Sequence, residues 1–188
     1  MKNLPTITMN RINLRPFTMD DSSEVQTLAG DEYVAKTTLY IPHPYEDGEA
    51  EKWIKTHEEE CWKGRALTLA VEDKESRKLM GAITLGMNKA YDHGEIAYWV
   101  GKPYMNKGYC TEAAKGLIQY GFEELNLHRI YARYMDNNPA SGKVMEKLGM
   151  KYEGVLREHV KKWGKYYDLY HYGILRHEFK IGTESVVW

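Results

Sequence analysis

Residues 95–117 read Glu-Ile-Ala-Tyr-Trp-Val-Gly-Lys-Pro-Tyr-Met-Asn-Lys-Gly-Tyr-Cys-Thr-Glu-Ala-Ala-Lys-Gly-Leu. An apolar run, Ile96 to Val100, stops at Gly101, and a loop with two glycines, two lysines and no acid follows. Downstream, Ala114, Leu117, Ile118, Gly121, Phe122 and Leu125 recur at helical spacing, which predicts a helix from Thr111 to Leu125 with one apolar stripe. Arg129 to Tyr134 then alternates with period two and reads as a strand. A strand, a helix and a second strand in one sheet are joined by a right-handed parallel crossover. The loop at its front presents backbone N–H groups without intrahelical partners, at the positive end of a helix dipole. That arrangement favours a phosphate or pyrophosphate. Gly108 permits close backbone approach or positive φ, Lys107 adds charge, and Thr111 caps the helix or donates to an anion. A plain tight turn explains the same residues. Neither GxxxxGK[ST] nor GxGxxG is present, so any phosphate held here is held by a third kind of loop.

Outward from this unit, Ile12–Arg15 is a short strand stopped by Pro16. Thr18 and Asp20-Asp21 open a helix to about Leu28, and Tyr33 to Tyr45, with Pro42 and Pro44, reads as irregular. Asp47 is the expected cap of a helix to about Trp62, with Ala50, Trp53, Ile54, His57 and Cys61 near one face. Leu67–Val71 and Leu79–Leu85 flank a polar turn and form a hairpin, with Glu95–Val100 as a third strand. Asn138 is a good N-cap and Pro139 suits the first helical position, so Pro139 to Leu148 is a helix, ended by Gly149. Strands at about Tyr152–Lys161 and Tyr166–Leu175 flank a turn at Gly164. The order predicts one α/β domain over residues 1–188, a mixed, mostly antiparallel sheet of six to seven strands with about four helices.

The chain has 188 residues and a formal net charge of −1, which gives no reason to expect direct nucleic-acid binding. Lys161-Lys162-Trp163-Gly164-Lys165 is read as a solvated hairpin tip rather than a nucleic-acid platform. No apolar run reaches membrane-spanning length, and the first residues lack a signal-peptide apolar core. Cys61 and Cys110 stand far apart, which argues against a disulfide scaffold or a metal site and is compatible with the cytoplasm.

Glu95 to Met150 resembles the acetyl-CoA-binding half of the GNAT N-acetyltransferases, most closely the RimJ/RimL-type branch, which acetylates protein N-terminal amines. The strand EIAYWV, the loop NKGYCTEA, the segment NNPAS and EKLGM followed by EG carry the likeness, and the opening LRPFTMDD fits it. The resemblance implies that the backbone at Met105, Lys107, Gly108, Tyr109 and Cys110, with Thr111, holds the coenzyme pyrophosphate. It implies that the strand end Trp99-Val100 pairs with the pantetheine arm and supplies oxyanion donors, and that Asn138 bonds the same arm. The loop departs from the family pattern Gln/Arg-x-x-Gly-x-Gly/Ala at Met105 and Cys110; backbone donors and a small side chain remain. Many members carry a tyrosine seven residues after the asparagine as acid for the leaving thiolate. Met145 stands there, so Ser141, implied to lie near the thioester sulfur, is the candidate donor.

Glu95, a carboxylate on an otherwise apolar strand, is the candidate base, with His93, Glu158, His159 and Asp168 as alternatives. Asp168 is a candidate partner for the incoming ammonium, and Tyr134 and the Leu39–Tyr45 loop, Tyr40 included, are candidate walls of the amine pocket. Cys110 lies in the phosphate loop, a place unsuited to a nucleophile. Acetyl-CoA is the expected co-substrate, with no metal. A protein N-terminal amine, such as a ribosomal protein's, is the expected acceptor. A small amine (antibiotic, polyamine or amino acid) and a non-catalytic coenzyme-binding module are the rivals. A homodimer is compatible with the exposed aromatics expected near Trp62 and Trp163.

Overall fold

The computed structural model describes residues 4–180 and residue 187. Its strands are β1 (Ile7–Thr8), β2 (Ile12–Arg15), β3 (Ala66–Asp73), β4 (Leu79–Asn88), β5 (His93–Val100), β6 (Arg129–Met135), β7 (Lys151–Lys162) and β8 (Lys165–Leu175). Its helices are α1 (Ser22–Ala29), α2 (Glu32–Thr37), α3 (Glu49–Trp62), α4 (Tyr109–Glu123) and α5 (Pro139–Lys147). The eight strands form one sheet in the order β1-β2-β3-β4-β5-β6-β8-β7. Every neighbouring pair is antiparallel except β5 and β6, the pair that the crossover through α4 makes parallel. The architecture is the single α/β domain the sequence indicates, with one strand and one helix beyond its upper count.

Those additions have local causes. β1 has two residues, too few for a period, and pairs with β2 across a tight connection. α2 lies in the stretch read as irregular. Asp31 starts it by accepting from the Tyr33 N–H at 2.8 Å, and the helix ends before the prolines. Asp47 is not the cap of α3: Gly48 is, at φ +84°, while the Asp47 carboxylate accepts from Gln26 Nε2 at 2.6 Å. At the other end of the sheet, Trp163 and Gly164 both have positive φ, 49° and 78°, the geometry of a two-residue hairpin turn matched to strand twist.

Two apolar clusters sandwich the sheet. The larger packs α4 through Leu117 and Ile118, both fully buried, against Leu69, Ile83, Leu85 and Ile130. The smaller packs Val25 of α1 and Ile54 of α3 against Ala70 and Leu79. Burying such apolar area is worth about 25 cal/mol per Å² and is the main favourable term. β5 divides its side chains between them: Tyr98 joins the first cluster and Trp99 the second.

The β5–β6 pairing is short. It covers His93–Arg129, Gly94–Ile130 and Glu95–Tyr131, although β5 continues to Val100 and β6 to Met135. Past Glu95 the two strands part, and the cavities described below open in that fork.

Candidate active site

The loop after β5 enters α4 through Gly108, which is the N-cap at φ +84°. That angle favours glycine. The helix therefore begins at Tyr109, two residues before the start expected at Thr111, and Thr111 lies inside the first turn. The first N–H groups of α4 point out of the helix without intrahelical partners. Arg11 fixes the loop from behind. Its Nη1 donates to the Lys107 carbonyl at 3.0 Å, its Nε to Glu112 at 2.7 Å, and its guanidinium lies 4.8 Å over the Tyr109 ring. Arg11 is 101 positions from Glu112, and no local pattern announces the pair.

A cavity of about 260 Å³ lies in front of this helix start. Trp99, Val100, Met105, Gly108, Tyr109, Cys110, Thr111, Asn138 and Ser141 all line it, as the sequence reading places them. Lys107 is the exception: it is not part of the lining, and its carbonyl is turned to Arg11. Lys143 and Lys147 of α5 supply cations to this wall instead. Burial pushes the Cys110 thiol up to about 12, so it stays protonated and is a poor nucleophile.

A second cavity, about 470 Å³, opens on the other side of the fork. Tyr40, Glu95, Arg133, Tyr134 and Trp53 are among its walls. Tyr40 and Tyr134 thus share one cavity, Tyr40 as an 83% exposed rim residue. Tyr134 stacks on Tyr170 at 5.1 Å, and burial with Tyr172 nearby pushes its phenol up to about 12. Gly142 lets α5 approach this ring, since a Cβ there would meet Tyr134 at 2.8 Å.

The two cavities share Thr37, Thr38, Tyr98, Trp99, Asn138 and Ser141. At this junction Tyr98 Oη lies 3.1 Å from Ser141 Oγ and donates towards the Ser141 carbonyl at 3.2 Å. Burial holds the Tyr98 phenol well above its ordinary pKa, so it is neutral and keeps its proton. Tyr98 is absent from the sequence reading. Nothing local pairs a residue on β5 with one 43 positions away on α5.

Several expectations are corrected. Glu95 is not a lone carboxylate: it accepts from Arg133 Nε at 2.7 Å and from Tyr131 at 3.2 Å, and Arg133 Nη2 sits 2.6 Å away. A carboxylate on a half-buried strand is costly unless paired, and the neighbouring strand supplies the cation. Asn138 already uses part of its amide within the protein, which leaves one N–H and one lone pair for a ligand. Its Oδ1 accepts from the Ser141 N–H at 3.3 Å and its Nδ2 donates to the Thr37 carbonyl at 3.0 Å. Asp168 lines neither cavity; it accepts from the Glu158 N–H at 2.7 Å, bracing the bulge where Glu158 has φ +49°. His93, Glu158 and His159 also lie outside both linings. Lys162 is not a solvated tip residue. It is 9% exposed, and its ammonium donates to the Thr38 and Ile41 carbonyls at 2.5 and 3.2 Å. With Asn137 donating to Lys36 at 3.1 Å, it straps residues 36–41 over the junction.

The geometry has two chambers meeting at a pair of neutral hydroxyls, with unpaired helix N–H groups at the far end of one. It suits transfer of a group from an anionic carrier to an acceptor held in the second chamber. No group of three His, Cys, Asp or Glu side chains among the described residues is placed to hold a metal ion.

The fold and site thus define a coenzyme-dependent acyltransferase. Residues 11–151 match the model of the acetyltransferase (GNAT) domain family, and the chain belongs to that family. Among relatives, an uncharacterized N-acetyltransferase of Bacillus subtilis (strain 168), YnaD, is 34% identical over 179 residues, 92% of this chain and 98% of that one. The [ribosomal protein uS5]-alanine N-acetyltransferase of Escherichia coli (strain K12) is 25% identical over 107 residues, 56% of this chain and 55% of that one. Mycobacterium smegmatis RimJ, solved with CoA-disulfide, superposes with a TM-score of 0.82 at 22% identity, covering 93% of this chain and 88% of that one. The chain is an acetyltransferase, and its co-substrate is acetyl-CoA. The small Cys110 side chain and the positive φ at Gly108 leave the helix start open to the smaller cavity.

Proposed function

We propose that the protein moves the acetyl group of acetyl-CoA to the α-amine of a polypeptide N-terminus by direct attack, with no covalent enzyme intermediate. The observation that carries this reading is the junction at Tyr98 and Ser141, a hydroxyl pair that lines both cavities. The N–H groups of the first turn of α4, with Lys143 and Lys147, hold the coenzyme phosphates. The edge of β5 beyond Glu95, free of β6, offers its backbone to the pantetheine amides and to the developing oxyanion. Ser141 donates a hydrogen bond to the departing sulfur, and Tyr98 fixes the hydroxyl in place. A thiol of pKa about 8.5 leaves without full protonation.

The amine needs no strong base. A peptide α-amine has a pKa of about 7.7–8.0, so a useful fraction is neutral near pH 7.5. The Glu95 carboxylate already accepts from Arg133 and Tyr131, so Glu95 acts here as a wall and orienting acceptor. The relative that modifies uS5 supports a ribosomal polypeptide as acceptor, and that reading carries a cytoplasmic location with it. A small-amine acceptor, a coenzyme-binding module without turnover and a homodimer are separate readings that no observed contact favours.

The test is release of free coenzyme thiol with N-terminal peptides, for wild type, Ser141→Ala and Tyr98→Phe. Loss of the thiolate donor lowers kcat by roughly 10²-fold, while the coenzyme Kd from calorimetry stays within about twofold. Unchanged kcat in both variants would remove the junction from the mechanism.

A further inference from the structure

The acceptor cavity has an electrostatic peculiarity. Its charged walls are Glu49, Glu95 and Arg133. Glu95 is paired with Arg133 at 2.6 Å, and Glu49 with Lys52 at 2.7 Å. Each carboxylate in the wall therefore already has a cation. A polyamine or other polycation needs several unmatched carboxylates to repay the desolvation of its charges, and this wall offers none.

Apart from Thr37, Thr38, Thr84, Asn138 and Ser141, the rest of the wall is apolar or aromatic. Leu39 and Ile41 come from the strapped segment, Tyr45 and Trp53 from α3 and the turn before it, Trp99 from β5 and Met135 from β6. Ile41, Tyr45, Trp53 and Trp99 also pack on the smaller core cluster, which fixes their positions while leaving them only partly buried. A volume of about 470 Å³ exceeds what an alanine or serine side chain fills. Unfilled apolar wall is surface that an apolar ligand would remove from water.

We infer that the acceptor is a peptide N-terminus whose first residue carries a large apolar or aromatic side chain, seated among Leu39, Ile41, Trp53 and Trp99. The inference rests on the acetyl-transfer reading above and adds the class of amine. The neutral α-amine projects to the Tyr98–Ser141 junction, and its nitrogen forms the new bond to the acetyl carbon. The carbon–sulfur bond breaks, the coenzyme leaves as thiolate, and the extra amine proton passes to solvent.

The experiment is a panel of tripeptides X-Gly-Gly, with X as Ala, Ser, Leu, Phe or Trp, together with spermidine. Acetylation is read by mass spectrometry and thiol release. Binding of acetyl-CoA is measured in parallel by thermal shift. Hydrophobic pockets discriminate by about 10- to 200-fold per group, so Phe-Gly-Gly and Leu-Gly-Gly are expected to exceed Ala-Gly-Gly by about tenfold or more in kcat/KM, with spermidine last. In Leu39→Ala, a loop variant that leaves the sheet intact, the Phe-over-Ala ratio should fall several-fold. Preference for Ala or Ser, or for spermidine, overturns the inference. So does an unchanged ratio in Leu39→Ala. Failure of every acceptor despite a midpoint rise with acetyl-CoA overturns the acceptor class and leaves coenzyme binding standing. Failure of both overturns the acetyl-transfer reading itself.

Discussion

His57 makes the stability of the fold depend on pH. It lies on the buried face of α3, 5% exposed, edge-on to Trp53 at 4.4 Å and against Phe17 at 5.3 Å. Neither ring nitrogen has a hydrogen-bond partner among the described residues. Burial alone pushes its pKa down to about 4 from the usual 6.5. The unfolded chain binds a proton as the pH falls through 6.5, and the folded chain does not until about 4. The stabilisation is therefore complete above 6.5 and is lost progressively towards 4. At about 1.36 kcal/mol per unit, the full loss is about 3 kcal/mol, and linkage gives about 2 kcal/mol of it by pH 5. For a chain of this size that corresponds to a fall in Tm of about 4–8 °C. His57→Leu removes the titration and keeps an apolar filler. Urea melts of both proteins at pH 5.0 and 7.5 should show the variant losing about 2 kcal/mol less over that interval. His171, whose pKa burial also lowers, contributes equally to both proteins and cancels in the difference. Parallel losses in wild type and variant would refute the reasoning.

Gly108→Glu places a side chain at φ +84° and a negative charge at the start of α4, so acetyl-CoA should no longer raise the Tm, while far-ultraviolet circular dichroism stays native. Lys162→Met removes the donors to the Thr38 and Ile41 carbonyls but keeps an apolar stem of similar length. The strap over residues 36–41 should loosen, raising acceptor KM several-fold; an unchanged KM and unchanged hydrogen exchange at residues 38–41 would count against it.

What the sequence disclosed was what is local. The turn at Gly164, the strand from Glu95 to Val100 and the helix at Asn138-Pro139 depend on residues within a few positions of each other, and each stands close to where its own pattern places it. That most of the candidate coenzyme residues share one cavity wall was legible for the same reason, because Met105 to Thr111 and Asn138 to Ser141 are two short segments. The errors came from pairings across long separations. Glu95 looked unpaired because Arg133 is 38 residues away on β6. Lys162 looked solvated because its acceptors, Thr38 and Ile41, are more than 120 residues away. Asp47 looked like a cap because a carboxylate before a helix usually is one, yet Gln26 claims it and Gly48 makes the turn.

Three titratable hydroxyl and thiol groups in the walls of the two cavities, Tyr98, Tyr134 and Cys110, share one property: burial raises the pKa of each. None supplies an anion at neutral pH, and the carboxylate at hand, Glu95, is held by an arginine. The site is thus furnished with neutral donors and lacks an evident strong base or acid. Such a site suits only a reaction whose partners titrate near the working pH by themselves. A peptide α-amine with a pKa of about 7.7–8.0 and a leaving thiol near 8.5 meet that condition, whereas an alkyl ammonium of lysine type, near 10.4, would be almost wholly charged. The same desolvation that keeps Tyr98 protonated strengthens its hydrogen bond to Ser141, since the dielectric around the pair is low. On the proposed reading, discrimination between α-amines and more basic amines follows from this environment without a dedicated contact. It also explains why the wall can be built from aromatic and aliphatic side chains: with the amine arriving neutral, no carboxylate is needed to greet it.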